Sequence, residues 1–394
     1  MRLRPGIILD MKTPSQDFVD ESWDDVQEWL PSDLDRLALE TGALVRRRTV
    51  RTGAQLLRLA FAYSVLDLSL RSVTAWAVER DVGRMSDVAL LKRLKGSVDM
   101  LQVVLAWLLS RRLQEAPVSA VPLRVRLVDA TTVSAPGSKG TDWRIHASYD
   151  VARGEFDSLE VTDGRGGEHF GRVQAGPGEL LVGDRGYAHG DRIAQVRAGG
   201  GHVLVRIGHS AVRLRCVSGD VLDPVAFATR RRPGPGRPPR VEGCDAVVSI
   251  ADGDDVPVRL VVVRKSAQAT DKERRRLRRE ASRKGKTPTD RTLQAAAYVF
   301  LLTTVPADMV EDATIAELYR VRWQVELAFK RLKSLGHLAN LRAKDPELAR
   351  TYVLSKLVAG MLADQISRHA RAFSPWGLPI PRAGEPVALV SPRS

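Results

Sequence analysis

The sequence predicts an α/β protein with a helical N-terminal region and a β-rich insertion. Three observations carry this. From Gln55 to about Arg112 the apolar spacing is helical, with few prolines or glycines. After Pro117 and Pro122 the period shortens toward two. Between about 209 and 297, short strand candidates are separated by two arginine-rich segments. The boundaries drawn are 1–118 for a helical N-terminal region, 119–208 and 298–345 for two parts of an α/β domain, 209–297 for the insertion, and 346–394 for C-terminal helices and an extended tail.

In order, SLRSVTAWAVERDVGRMSDVALLKRLKGS reads as helix, turn, helix, with Gly83 in the turn and Ser86 as N-cap. Lys92, Arg93 and Lys95 point outward from the second helix, which fits a helix-turn-helix. A plain helical bundle fits the same stretch. Residues 123–128 form an apolar strand followed by Asp129. DWRIHASYDV and EFDSLEVTD alternate as two further strands, and the glycine-rich loop DGRGGEHFGR follows. ELLVG is a strand ending at Asp184, then come a helix at about 189–198 and strand 202–208. In the insertion, VRLRCV, AVVSI and VPVRLVVVRK are strand candidates. Prolines 233, 235, 238 and 239 exclude a helix across RRRPGPGRPPR, and both this segment and the run from Asp271 to Lys286 read as mobile basic loops, with a solvated charged helix as the plainer reading of the second. YVFLLTT, 298–304, resumes the core and leads into a helix.

The 394-residue chain has a formal net charge of +14, which favours a polyanionic partner, nucleic acid first. Its two cysteines have no metal-ligand or disulfide spacing. The apolar run near the N-terminus is too short for a signal peptide, and no run reaches membrane-spanning length. A cytoplasmic protein with no membrane partner is expected.

The stretch YRVRWQVELAFKRLK, read as one helix, places Tyr319, Glu326 and Lys333 along a single stripe, flanked by Arg322 and Lys330. Leu318, Val321, Val325, Phe329 and Leu332 make the adjacent packing face. Asp129 and Asp184 each stand at a strand end, where side chains are rigidly held but free of the ladder. Each acid alone reads as a turn or capping residue. Asp184 before Arg185-Gly186 is a turn signature by itself. Taken together with Glu326 and the basic excess, they read as a hard-oxygen site suited to Mg²⁺, or to Mn²⁺.

The segments LVDATTV, DWRIHASYD, SLEVTDGRGGEHFGR, LLVGDRGY and YRVRWQVELAFKRLK resemble the DDE transposases of bacterial insertion sequences, in the IS-four group. The last carries that group's Tyr-Arg-Glu-Lys signature as Tyr319, Arg322, Glu326 and Lys333. The resemblance implies a ribonuclease H-like mixed sheet flanked by helices, interrupted by the insertion. It implies Asp129, Asp184 and Glu326 as the catalytic, metal-binding triad, with Tyr319, Arg322 and Lys333 on DNA phosphates and Lys330 as a further candidate. It also implies cutting of transposon ends and joining to target DNA, terminal repeats and target as double-stranded DNA partners, a homodimer in the synaptic complex, and a bacterial, nucleoid-associated location. Tyr298, Phe300 or Trp323 are candidates for an aromatic surface receiving a flipped base. The alternatives are a ribonuclease H-like nuclease that cuts without joining, and a catalytically inactive DNA-binding regulator descended from a transposase.

Overall fold

The computed structural model describes residues 23–110, 121–134, 137–138, 140–230, 240–250, 255–322, 325–326, 329–330, 341–343 and 345–372. They fall into two compact units. One comprises residues 1–111, 133–139 and 331–394; the other comprises 112–132 and 140–330.

The first unit is helical: α1 (Trp23–Gln27), α2 (Leu34–Glu40), α3 (Gly53–Ser64), α4 (Leu70–Glu79), α5 (Asp87–Lys95), α6 (Val98–Ser110) and the long α12 (Pro346–Ala372). Helices α3, α4 and α5 begin on Thr52, Ser69 and Ser86, whose side chains accept from the amide three residues on. This satisfies donors the helix leaves unpaired. Gly83 makes the turn before α5 at φ +132°. Helix α12 packs on α6, α3 and α5. Leu90, Leu94, Leu101, Leu108, Val353, Leu357 and Val358 are buried there. Thr351 also donates to the Leu94 carbonyl at 2.7 Å. The long helix α12 thus belongs to the helical unit.

The second unit holds one mixed sheet: β1 (Arg124–Val133), β2 (Trp143–Asp150), β3 (Glu155–Asp163), β4 (Glu179–Gly183), β5 (His202–Ile207), β6 (Leu214–Cys216), β7 (Val241–Val248), β8 (Val256–Arg264) and β9 (Tyr298–Thr303). Its order is β3-β2-β1-β4-β5-β9-β8-β7-β6. Strands β1, β4 and β5 run parallel, and β9 returns antiparallel to β5. The architecture is the mixed α/β, ribonuclease H-like class that the sequence predicts. Val128, Leu181, Val203, Val205, Leu260 and Leu302 build the core with Ile193 and Val196 of α7 (Gly190–Ala198). Buried parallel strands of this kind carry runs of branched aliphatics, as ELLVG and HVLVRI do.

The structure adds to or departs from the sequence reading in four places. The strands of the 209–297 insertion extend the same sheet through the β9–β8 pairing, which the sequence reading did not specify. Strand β1 runs on to Val133, so Asp129 lies within it rather than past its end. The basic run after Asp271 is a helix, not a loop. Helix α9 (Ala267–Arg283) is capped by Ser266, and Arg274 donates to the Leu293 carbonyl at 3.0 Å. Pairs of Arg276 with Glu273 and Glu280 offset its charge repulsion at helical spacing. Short helices α8 (Pro224–Thr229) and α10 (Asp290–Ala295) flank it in sequence.

The fourth place is the stretch Tyr319–Lys333. Helix α11 (Asp312–Arg320) stops, and Val321 and Arg322 form a turn. Residues 325–326 and 329–330 are helical again. The amides of Val321, Arg322 and Val325 donate three residues back, to Leu318, Tyr319 and Arg322. Such tightened i to i−3 bonding turns the chain by about 120° per residue instead of 100°, so the stripe does not continue straight. Trp323 and Lys333 lie outside the described residues, as do residues 231–239 of the first basic segment and the tail beyond 372.

Candidate active site

The positions of Asp129 and Asp184 follow from sheet register. Strands β1 and β4 pair in parallel with Leu127 opposite Val182. Asp129 stands two residues further along β1 and Asp184 directly follows the end of β4, so the register brings the two close, and Asp129 feels the charge of Asp184. Asp129 accepts from the Ala130 amide at 2.9 Å, and Asp184 from the Gly186 amide at 2.7 Å. Asp184 therefore does form the turn that its sequence context suggested. Each acid keeps oxygen capacity beyond that bond.

The carboxyl of Asp129 is pushed up to about 6 by burial. The Ala130 amide and Arg322 work against the shift, while Asp184 and Glu168 add to it. Burying one carboxylate beside two more is costly unless a cation joins them. Tyr187 is buried in the same place, and burial first, then the charges of Asp129, Glu168 and Asp184, raise its hydroxyl.

Arg322 faces this group from the turn after α11. One guanidinium nitrogen lies 4.0 Å from Asp129 Oδ2, and the other donates to Glu326 Oε1 at 2.6 Å. Burial disfavours its charge, yet Glu326, Tyr319 and Asp129 together raise it. The half-buried Tyr319 hydroxyl shares a hydrogen bond with Arg322 and feels Asp184. Of the expected packing face, Leu318 and Val321 are half-buried and Leu332 lies outside the described residues. Val325 and Phe329 are buried, and Phe329 lies 5.4 Å from Phe156, ring to ring. Glu326 and Lys330 are on the exposed side.

The sheet thus brings Asp129 and Asp184 together, and Arg322 links Asp129 to Glu326. Among the described residues, no group of three or more Asp, Glu, His or Cys side chains is gathered closely enough to hold an ion as it stands. The donor set nevertheless suits a hard divalent cation: it is all carboxylate, and Asp129 is buried against like charge. The arginine lies where positive charge is needed.

Sequence reading missed two groups of residues. Arg206 on β5 is half-buried, with no ion pair among the described residues. Burial and the nearby Arg185 and Arg276 press its charge down, while Tyr319 and Glu273 support it. Lys265 lies under the same cationic influence and donates to the Ala296 carbonyl. In sequence Arg206 looks like one polar position in an apolar strand; only the sheet order brings it near Tyr319. Glu168 is the second omission. Its loop was conspicuous, but nothing local aimed it at Asp184.

In the helical unit, Lys92 is exposed and Arg93 partly so. Lys95 instead donates to Asp345 at 2.6 Å and lies 3.9 Å from Glu347. Of the aromatic candidates, Phe300 is buried in the sheet core, and Tyr298 is partly exposed beneath the Arg264 guanidinium.

Comparison with known proteins agrees with this geometry. The family model described as "Transposase DDE domain" matches residues 121–362. The transposase for insertion sequence element IS421 of Escherichia coli is 38% identical over 353 residues, covering 88% of this chain and 93% of that protein. InsL of insertion sequence element IS186A, from Escherichia coli strain K12, is 38% identical over 352 residues with the same coverage. The transposase for insertion sequence element IS231D of Bacillus thuringiensis subsp. finitimus is 24% identical, covering 84% and 76% of the two chains. A sheet that sets two aspartates side by side, and a matched family and relatives that span most of the chain, lead to one conclusion: this chain belongs to the DDE transposase family and is an insertion-sequence transposase.

Proposed function

We propose that Asp129, Asp184 and Glu326 form the catalytic triad, holding Mg²⁺ or Mn²⁺ against the phosphodiester at a transposon end. The observation that carries this is the nearness of Asp129 in β1 to Asp184 directly after β4, with Arg322 tying Glu326 to Asp129. When bound, the divalent cation supplies charge neutralisation at the reacting phosphate and a more acidic water. The protein's part is positioning. Water attacks phosphorus, the bond to the 3′ oxygen breaks, and the transposon strand leaves with a 3′-hydroxyl. That hydroxyl then attacks a phosphodiester of target DNA, so the P–O bond lost there is replaced by the new one. In both steps Arg322, Lys333 and Arg206 bind non-bridging oxygens and Tyr319 donates to a phosphate, which holds the reacting atoms in line.

Arg322 has two tasks in this reading. Before DNA arrives it balances Asp129 and Glu326. When a phosphate takes its guanidinium, Asp129 and Glu326 are left free and would hold a divalent cation. The turn at Val321–Arg322 is where the chain can adjust. Lys330 contacts more distant backbone. Basic helix α9 grips DNA without reading sequence, and α5 contributes Lys92 and Arg93 to recognition of the terminal repeat. Lys95 is held by Asp345 and has a smaller share. The DNA is double-stranded, two copies of the chain act together on paired ends, and the reaction takes place in the bacterial nucleoid. Among the described residues no helix is long and apolar enough to cross a membrane.

The test is a two-step assay with labelled terminal repeats and a target plasmid. Asp129→Asn, Asp184→Asn and Glu326→Gln should each abolish cleavage and joining while retaining end binding. Cleavage that survives any of them overturns the triad. Cleavage without joining by the unaltered protein would favour the nuclease reading.

A further inference from the structure

The glycine-rich loop DGRGGEHFGR was prominent in the sequence, and neither the triad nor the phosphate-binding residues make use of it. Its geometry is tightly fixed. A methyl carbon added at Gly164 would lie 2.1 Å from the Thr141 carbonyl oxygen, and one added at Gly166 2.1 Å from the Thr162 hydroxyl. Only glycine fits either position. Arg144 donates to the Gly166 carbonyl at 2.6 Å, and Arg172 to the Gly167 carbonyl at 2.7 Å. His146 meets Thr162 at 2.9 Å, beneath the loop. Phe170, which follows Glu168 and His169, is fully buried against Tyr187.

Between these anchors the chain delivers one side chain, Glu168, to the acid pair. A carbon added at Gly186 would lie 2.9 Å from Glu168 Oε2 and 3.1 Å from Asp184 Oδ1. The two carboxylates therefore flank a single point, no further apart than the sum of those distances. The other oxygen of Glu168 lies 3.7 Å from Arg144 Nε, and its side chain is 31% exposed. A glutamate whose only purpose was to pair with Arg144 could lie anywhere on the protein surface. Here a glycine-dependent loop, held by two arginines, places it against the strand end that carries Asp184.

We propose that Glu168 is a fourth acidic residue of the cation site, accepting hydrogen bonds from the hydration shell of a divalent ion held beside Asp184. The inference rests on the triad reading above. Mg²⁺ keeps several of its waters and takes only one or two carboxylates directly, so an acid a few ångströms back from the ion still helps to hold it. Such a role is consistent with carboxylates that are near one another without closing into a ready cage.

The test is Mn²⁺ binding to the full chain without DNA, measured from the electron paramagnetic resonance signal of free Mn²⁺. Glu168→Gln should weaken binding about 10-fold, in the range found when groups outside the direct ligand set are lost. Glu168→Asp should recover most of it, and neutralising the exposed Asp191 on α7 should change nothing. Wild-type affinity in Glu168→Gln, beside a clear loss in Asp184→Asn, overturns this inference alone. Wild-type affinity in both overturns the cation reading beneath it. If Glu168→Gln does not fold, hydroxyl-radical scission of the unaltered chain loaded with Fe²⁺ gives the answer. Cuts at 164–170 as well as around 129 and 184 support the role, and their absence from 164–170 overturns it.

Discussion

The two halves of the active site are held in different ways. Asp129 lies within β1 and Asp184 directly follows β4, each two residues beyond the paired Leu127 and Val182, so the parallel register brings the acids together. Arg322 and Glu326 come from a helical segment that breaks and resumes around Val321. The first half is rigid and carries repelling charges. The second is adjustable and supplies the positive charge that offsets them. A cation site that must also admit DNA gains from this division. In the proposed reading, the sheet would define where the ion sits, and the turn would let one arginine leave.

The largest effect should come from breaking the rigid half. Asp184→Ala removes an oxygen donor at a fixed position, and cleavage should fall by about 10³-fold or more in a single-turnover assay, with little change in the melting temperature. A loss below about 10-fold would mean that the ladder does not define the site.

Breaking the adjustable half should produce a split result. Arg322→Ala removes a charge-assisted phosphate contact, so binding to the terminal repeat should weaken about 10-fold or more. Its divalent-ion affinity without DNA should not fall, because the guanidinium competes for the same acids. Parallel loss of both would show that Arg322 is a structural support and not a stand-in for the ion.

A smaller effect sharpens the boundary between the halves. Gly186→Ala presses on Glu168 and Asp184, whose tips lie at 2.9 and 3.1 Å from the added carbon. Side-chain ends can yield by tenths of an ångström, so the fold should survive. Mn²⁺ affinity should drop by about 3- to 10-fold, as for a disturbed supporting group.

The smallest effect lies outside the site, in the helical unit. Lys356 is 3% exposed above the Tyr352 ring, and burial lowers it to about 8 despite the nearby Asp67. A lysine lowered in the folded state binds fewer protons there than when unfolded, so its charge costs stability below pH 8. The cost fades between pH 8 and the ordinary lysine value. Lys356→Met should therefore raise the melting temperature by a few degrees at pH 7 and by less at pH 10. Equal shifts at both pH values would assign the effect to packing.

Much of this was legible in the sequence because strands announce themselves by alternation and apolar runs. ELLVG before Asp184 and LRVRLV before Asp129 gave both acids to within a residue or two. The ladder's extension to Val133 was not readable, because Ala-Thr-Thr ends a strand or continues it depending on its neighbour. The Tyr319–Lys333 pattern gave part of the packing face, with Val325 and Phe329 buried and Leu318 and Val321 half-buried. It missed the break, since a three-residue tightening leaves no mark in hydrophobic spacing. For α9 the plainer of the two sequence readings, a solvated charged helix, is the one the structure shows, since arginine is a good helix former and Ser266 a good cap. Arg206 and Glu168 were invisible for one reason. Their partners lie across the sheet, or across a loop whose shape depends on glycines that clash with nothing in sequence.

Metal identity gives the most direct test that these acids hold an ion. Asp184→Cys replaces a hard oxygen with a soft sulfur at an unchanged position. Terminal-repeat cleavage by this variant should be absent in Mg²⁺ and return by about 10-fold or more above background in Mn²⁺ or Cd²⁺, which accept thiolate ligands. Full cleavage in Mg²⁺, or equal inactivity in every metal while the protein remains folded and bound to DNA, would contradict it.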